Sequence, residues 1–182
     1  MRALPVAFTE RMRKQLGAEE AESLFAALDG VSPVAIRLNP AKCGEEGVWS
    51  DGEAIAWSEN GRKLKERPSF TLDTAFHAGA YYVQEAASQF IDYIISHEEL
   101  LGKRVLDMCS APGGKTTIYS TAVGEEGLVV ANEYVRSRAN ILADNVRKWG
   151  FGNVLVTNNA PEHLAQFEGW FDVVAVDAPC SG

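Results

Sequence analysis

"VLDMCSAPGGKTT", residues 105–117, runs apolar to Asp107, breaks into a Ser-Ala-Pro-Gly-Gly turn and resumes as a polar stretch that can form a helix. A short apolar run closed by an acid and followed by paired glycines predicts a buried strand turning into a helix over a ligand. The pattern then repeats. "KRVLDM" (103–108), "GLVVANE" (127–133), "NVLVTN" (153–158) and "FDVVAVD" (171–177) read as strands, and "GKTTIYSTAV" (114–123), "VRSRANILADNVRKWG" (135–150) and "PEHLAQF" (161–167) as the helices between them. Such alternation predicts an α/β fold, a Rossmann-like parallel sheet with right-handed crossovers and a ligand at the carboxyl ends of its strands. Asp107, Glu133, Asn158 and Asp177 fall at four successive strand ends.

The chain before this sheet reads differently. "LPVAFTERMRKQLG" (4–17) spaces Phe8, Met12 and Leu16 by helical steps and ends on Gly17; "AEEAESLFAAL" (18–28) does the same with Ala21, Leu24, Phe25 and Leu28. "PVAIRLNP" (33–40) reads as a strand, residues 41–68 show no sustained period, and "VQEAASQFIDYIISHEEL" (83–100) predicts a third amphipathic helix. The expected division is a small mixed α+β subdomain over 1–75 and the first part of a Rossmann-like domain over 76–182.

Composition narrows the class. The 182 residues are 46% hydrophobic, enough to bury a sizeable core, and carry a net charge of −8. No run is long and apolar enough to span a membrane, and "MRALPVAFTERMRK" lacks the apolar stretch of a secretory signal, so a cytoplasmic protein with no membrane partner is expected. Cys43, Cys109 and Cys180 form no C-x-x-C pair, so neither a metal site nor a disulfide framework is expected. The acidic balance argues against a surface that grips nucleic acid everywhere. The basic clusters, Arg62, Lys63, Lys65 and Arg67, and Arg11, Arg13 and Lys14, read as solvated strips.

Two ligands compete for the glycine loop. A phosphate loop, G-x-x-x-x-G-K-[ST], finds its second half in Gly114, Lys115 and Thr116, but Cys109 stands where its first glycine belongs. A nucleotidase remains the minority reading. The rival ligand is S-adenosylmethionine. Asp107 would repel a triphosphate but can meet the cationic methionine end of this cofactor, and Glu133 can accept hydrogen bonds from both ribose hydroxyls. Gly113 and Gly114 let backbone approach the cofactor, and the helix start behind them offers amides to its carboxylate. The chemistry is chosen by "VDAPCSG": a thiol at Cys180, beside Asp177, suits methylation at carbon 5 of a pyrimidine, which first needs a thiolate to add to carbon 6.

Together these strings resemble the Nop/Sun RNA 5-methylcytosine methyltransferases, and most closely their RsmF-like ribosomal RNA branch. "LPVAFTERMRKQLG" resembles that branch's opening helix, "AIRLNP" its Arg-x-Asn strand, and "FHAGAYYVQEAASQF" its motif before the sheet. "VLDMCSAPGGKTT" resembles its cofactor loop, "VVANE" its ribose acid and "DAPCSG" its Pro-Cys motif. The resemblance implies S-adenosylmethionine as cofactor and RNA as partner. It implies cofactor contacts from Cys109, Ser110, Ala111, Pro112, Gly113, Gly114 and Lys115, from Glu133 and from Asp177. Asp177 is also implied to face the cytosine, and Cys180 to assist release of the methylated product. In "VTNNAPEHL" Ala160 stands where the family often has an aspartate, leaving Asn158 or Asn159 for the adenine edge.

The family's main nucleophile belongs to a later Thr-Cys motif, and no Thr-Cys pair occurs in these 182 residues. The expectation is therefore an N-terminal fragment that binds cofactor without turnover, its sheet incomplete and "DVVAVD" an exposed apolar edge. A non-catalytic RNA-binding module, using the surface around Arg62 to Arg67, is the remaining alternative.

Overall fold

The computed structural model describes residues 4–43, 49 and 52–179, and the chain divides into two compact units, residues 1–33 and 34–182. The first unit is a helical hairpin, α1 (Val6–Leu16) and α2 (Ala18–Asp29), joined at Gly17, whose φ of 83° suits a residue without Cβ. Phe8 meets Phe25 at 6.1 Å between ring centroids, and Arg13 pairs with Glu22 at 2.7 Å.

The second unit holds two four-stranded sheets. The first is antiparallel and contains β1 (Val34–Leu38), β2 (Glu53–Ile55), β3 (Ser58–Leu64) and β4 (Tyr81–Val83), in the order β2-β3-β1-β4. β1 lies between β3 and β4, with Ile36 opposite Arg62 on one side and Val83 on the other. Ile36, Leu38, Phe70 and Tyr81 form its core, closed by a single turn of 3-10 helix at Phe70–Leu72 and the short α3 (Thr74–His77). The hairpin β2–β3 occupies part of the stretch in which the sequence shows no period. Its longer strand, "SENGRKL", is almost wholly polar, so no apolar alternation announces it.

The expected helix over 83–100 is broken. Val83 is still strand, Ala87–Gln89 is a 3-10 turn, and only Phe90–Ser96 is α-helix, α4. The reason is Gln89, fully buried, whose amide donates to the carbonyls of Ile36 and Gln84 and so ties this segment to β1 instead of letting it wind as one amphipathic helix.

The second sheet is parallel: β5 (Arg104–Asp107), α5 (Gly114–Val123), β6 (Leu128–Asn132), α6 (Arg136–Trp149), β7 (Val154–Thr157), a 3-10 segment at Pro161–Phe167 and β8 (Val173–Ala175). Its order is β7-β6-β5-β8. The chain steps outward through β5, β6 and β7 and then returns to the other side of β5, so the strand order reverses at β5 and a ligand crevice opens beyond its carboxyl end. The central strands are the apolar ones, Val105 and Val129 being fully buried against Ile118, Tyr119 and Val123 of α5. β8 lies at the edge, leaving Val174 and, just past it, Val176 exposed. Among the described residues no helix is long and apolar enough to cross a membrane.

Candidate functional site

The reversal point is built around Asp107. β5 delivers its carboxylate into the protein, where it is 2% exposed and Oδ2 accepts a hydrogen bond from Thr116 Oγ1 at 2.7 Å. The following loop is pinned on both sides: the Met108 N–H donates to Ala175 O beside β8, and the Ser110 N–H donates to Asn132 O on β6. Ser110 Oγ closes the turn on the Asp107 carbonyl. Burial pushes the Asp107 carboxyl above the ordinary carboxylate value, against the opposing pull of Thr116, Ser110 and Lys115.

Gly113 then takes φ of 111°, a conformation that favours glycine, and α5 begins at Gly114. A Cβ on Gly114 would stand 3.2 Å from Gln84 Nε2, so this glycine lets the loop lie close against the segment after β4. The loop is also held from outside. Tyr82 Oη and Asn145 Nδ2 donate to the Pro112 carbonyl, and Arg138 Nη2 donates to that of Ala111.

Between these parts lies a cavity of about 210 Å³. Tyr82, Gln84, Asp107, Cys109, Lys115 and Asp177 are among its walls. Lys115 and Asp177 meet across its mouth at 2.6 Å. Ser110, Ala111, Pro112 and Gly114 line it too, so most of the expected loop contacts face one space. Burial, with Glu133, Asp107 and Asp177 nearby, raises the Cys109 thiol above its ordinary value, against a smaller pull from Arg138.

Glu133 sits at the end of β6 and is 3% exposed. Its Oε1 accepts from the Val135 N–H at 2.9 Å, while Oε2 has no hydrogen-bond partner among the described residues and only Arg138 Nη1 at 3.6 Å. Asn158 spends both amide hydrogens on the carbonyls of Glu133 and Tyr134, at 2.6 and 2.9 Å. It therefore holds the Glu133 turn in place. Asn159 is anchored through its backbone to the Asn132 side chain, at 3.0 Å in both directions. Cys180 lies outside the described residues.

Several supporting residues have partners that no local spacing predicts: Arg138, Asn132, Tyr82 and Gln84 act through hydrogen bonds across elements. Thr116, the hydroxyl of the half-matched phosphate loop, is turned inward to Asp107 instead.

Two family models match this chain: the N-terminal domain of 16S rRNA methyltransferase RsmF over residues 4–86, and 16S rRNA methyltransferase RsmB/F over residues 96–182. The ribosomal RNA small subunit methyltransferase F of Vibrio campbellii is 32% identical over 195 residues, covering 98% of this chain and 40% of that protein. That of Aliivibrio salmonicida is 37% identical over 149 residues, covering 78% and 31%. The chain thus spans well under half the length of these curated relatives. A methyltransferase homolog protein from Pyrococcus horikoshii superposes with a TM-score of 0.82 at 26% identity, covering 99% of this chain and 61% of that one.

Proposed function

The chain belongs to the RsmB/F-type 16S rRNA methyltransferases, and on that premise we propose that it binds S-adenosylmethionine at the β5 and β6 strand ends and serves methylation of carbon 5 of a cytosine in ribosomal RNA. One observation carries the cofactor reading: the enclosed Glu133 Oε2, to which no described residue donates a hydrogen bond and which the Arg138 guanidinium approaches only to 3.6 Å. A buried carboxylate oxygen left without a donor costs about 1–3 kcal/mol, a cost removed when a ligand supplies the hydrogen. Ribose hydroxyls are such donors.

The remaining groups fit the same ligand. The glycine pair and the first amides of α5, which have no partners within the helix, suit a carboxylate, while Asp107 and Asp177 suit a cationic centre and oppose a triphosphate. The bound cofactor supplies an electrophilic methyl group on a sulfonium. Asp107, Gly113, Gly114 and Lys115 hold its methionine end, and Glu133 its ribose. Asn158 positions Glu133 through the backbone. Asp177, held by Lys115 at the mouth, faces the pyrimidine, and Cys180 assists release of the methylated base.

Calorimetry separates this reading from a nucleotidase. S-adenosylhomocysteine binds and ATP with magnesium does not; binding of ATP alone overturns the proposal.

A further inference from the structure

A second cavity, about 300 Å³, opens between β4 and the C-terminal half of α6. Its walls are mostly aromatic: Phe70, Phe76, Tyr81, Tyr82 and Trp149. Phe70, Phe76 and Tyr81 pack on one another at 5.9 to 6.4 Å between centroids. The two sides come close because Gly79, at φ of 71°, has no Cβ; one placed there would stand 1.8 Å from the Lys148 carbonyl oxygen. Trp149 is 2% exposed, and its Nε1–H has no acceptor among the described residues. Tyr82 borders both this cavity and the one beside Asp107, so the two are neighbours.

Cations lie against two of these rings, and Lys148 is itself part of the cavity wall. Lys148 Nζ lies 4.1 Å from the Phe76 ring centroid, and the Arg67 guanidinium 5.8 Å from that of Phe70. Neither is in an ion pair among the described residues. Arg67 belongs to the basic strip that the sequence suggests is merely solvated, whereas Arg62 turns to its own hairpin's carbonyls and Lys63 to Glu53.

Aromatic walls, a buried donor and two cations against the rings together match an unstacked base flanked by phosphates, with the Arg37 guanidinium already lying over the Trp149 ring at 4.5 Å. Single-stranded nucleic acid is held in this way, bases on aromatic faces and backbone on basic side chains. A cationic ligand is opposed by Lys148 and Arg67, and an aliphatic one leaves the Trp149 N–H unanswered. We propose that this slot takes one nucleobase of the RNA substrate, splayed from the strand near the nucleotide presented at the cofactor cavity. The proposal rests on the reading of RNA as substrate, and it adds a base-holding site away from the methyl-transfer centre.

The test is photocrosslinking of a short single-stranded RNA carrying 5-bromouridine, with the crosslinked peptides mapped by mass spectrometry. Crosslinks fall on peptides containing Tyr81, Tyr82 or Trp149. Phe76→Leu, which keeps an apolar side chain and removes the π face, weakens RNA binding roughly tenfold. Lys148→Ala lowers the salt dependence by about one phosphate contact, so the test stands even if the Phe76 variant is unstable. Crosslinks confined to other segments, no RNA binding, or RNA affinity and salt slope unchanged in both variants overturn the slot. S-adenosylhomocysteine binding, measured on the same samples, reads the cofactor proposal separately: its loss with crosslinks intact breaks that reading and leaves this one standing.

Discussion

The antiparallel and the parallel sheet both place polar side chains where water does not reach, and they use them differently. Asn39, fully enclosed after β1, employs every group: Nδ2 donates to the carbonyls of Gly79 and Trp149 at 2.9 and 2.8 Å, and Oδ1 accepts from the Ala41 N–H. Arg37 on β1 donates to Gln84 and Thr117 and lies 4.5 Å from the Trp149 ring centroid, with burial lowering its pKa to about 10. At the parallel sheet's strand ends, Glu133 keeps one oxygen without a hydrogen bond among the described residues and Asp107 is a carboxyl that burial disfavours in its charged form. A satisfied buried group fixes a fold, whereas an unsatisfied one costs stability and is retained where a ligand completes it. Gln89 Oε1 and Trp49 Nε1 are exceptions, since they too lack a partner among the described residues and line neither of the two cavities described.

Arg37→Ala tests the structural half of this contrast most severely. Loss of its hydrogen bonds and its packing on Trp149 costs about 3 kcal/mol of folding free energy, read from denaturant midpoints. A loss under about 1 kcal/mol would place Arg37 outside the structural framework. On the other side, Glu133→Gln lowers S-adenosylhomocysteine affinity roughly tenfold or more, because hydrogen bonds to a charged acceptor are the stronger kind. Its melting temperature holds or rises. Unchanged affinity with reduced stability would make Glu133 a structural residue like Asn39.

Smaller effects refine the comparison. Gly113→Ala forces a Cβ into a left-handed conformation at φ of 111° and costs about 1–2 kcal/mol, with a parallel loss of cofactor affinity in calorimetry. A stable variant with full affinity would show that the loop does not need this turn. Asp107→Asn is the mildest and is read against pH. The folded-state pKa of Asp107 is raised, so its protonated form favours folding, and that contribution is lost as pH rises through the folded value. The variant therefore gains on the wild type in thermal melts from below 3.8, the ordinary value, toward neutrality. A flat or inverted difference contradicts burial as the dominant influence.

The parallel sheet was legible because its strands are apolar runs closed by polar residues, and because glycine marks the turn at Gly113. The hairpin at Glu53–Ile55 and Ser58–Leu64 was not, since its strands hold together by backbone pairing with each other and, through Ser58–Leu64 alone, with β1. The helix expected over 83–100 failed for a related reason: its apolar stripe at Phe90, Ile91, Ile94 and Ile95 is real, but Gln84 and Gln89 answer to β1. Arg37 and Asn39 stood in a recognisable Arg-x-Asn string, yet the partners of their side chains other than Ala41 lie 40 to 110 residues away in sequence.

Local chemistry thus settles the strand ends, the glycine turn and the acids beside them, because each is written in adjacent residues and obeys a short period. Packing settles which polar groups are used up and which stay open. The difference between Asn39 and Glu133 depends on partners far off in sequence: the Gly79 and Trp149 carbonyls accept from Asn39, whereas no described residue donates a hydrogen bond to Glu133 Oε2, and only folding decides which groups meet.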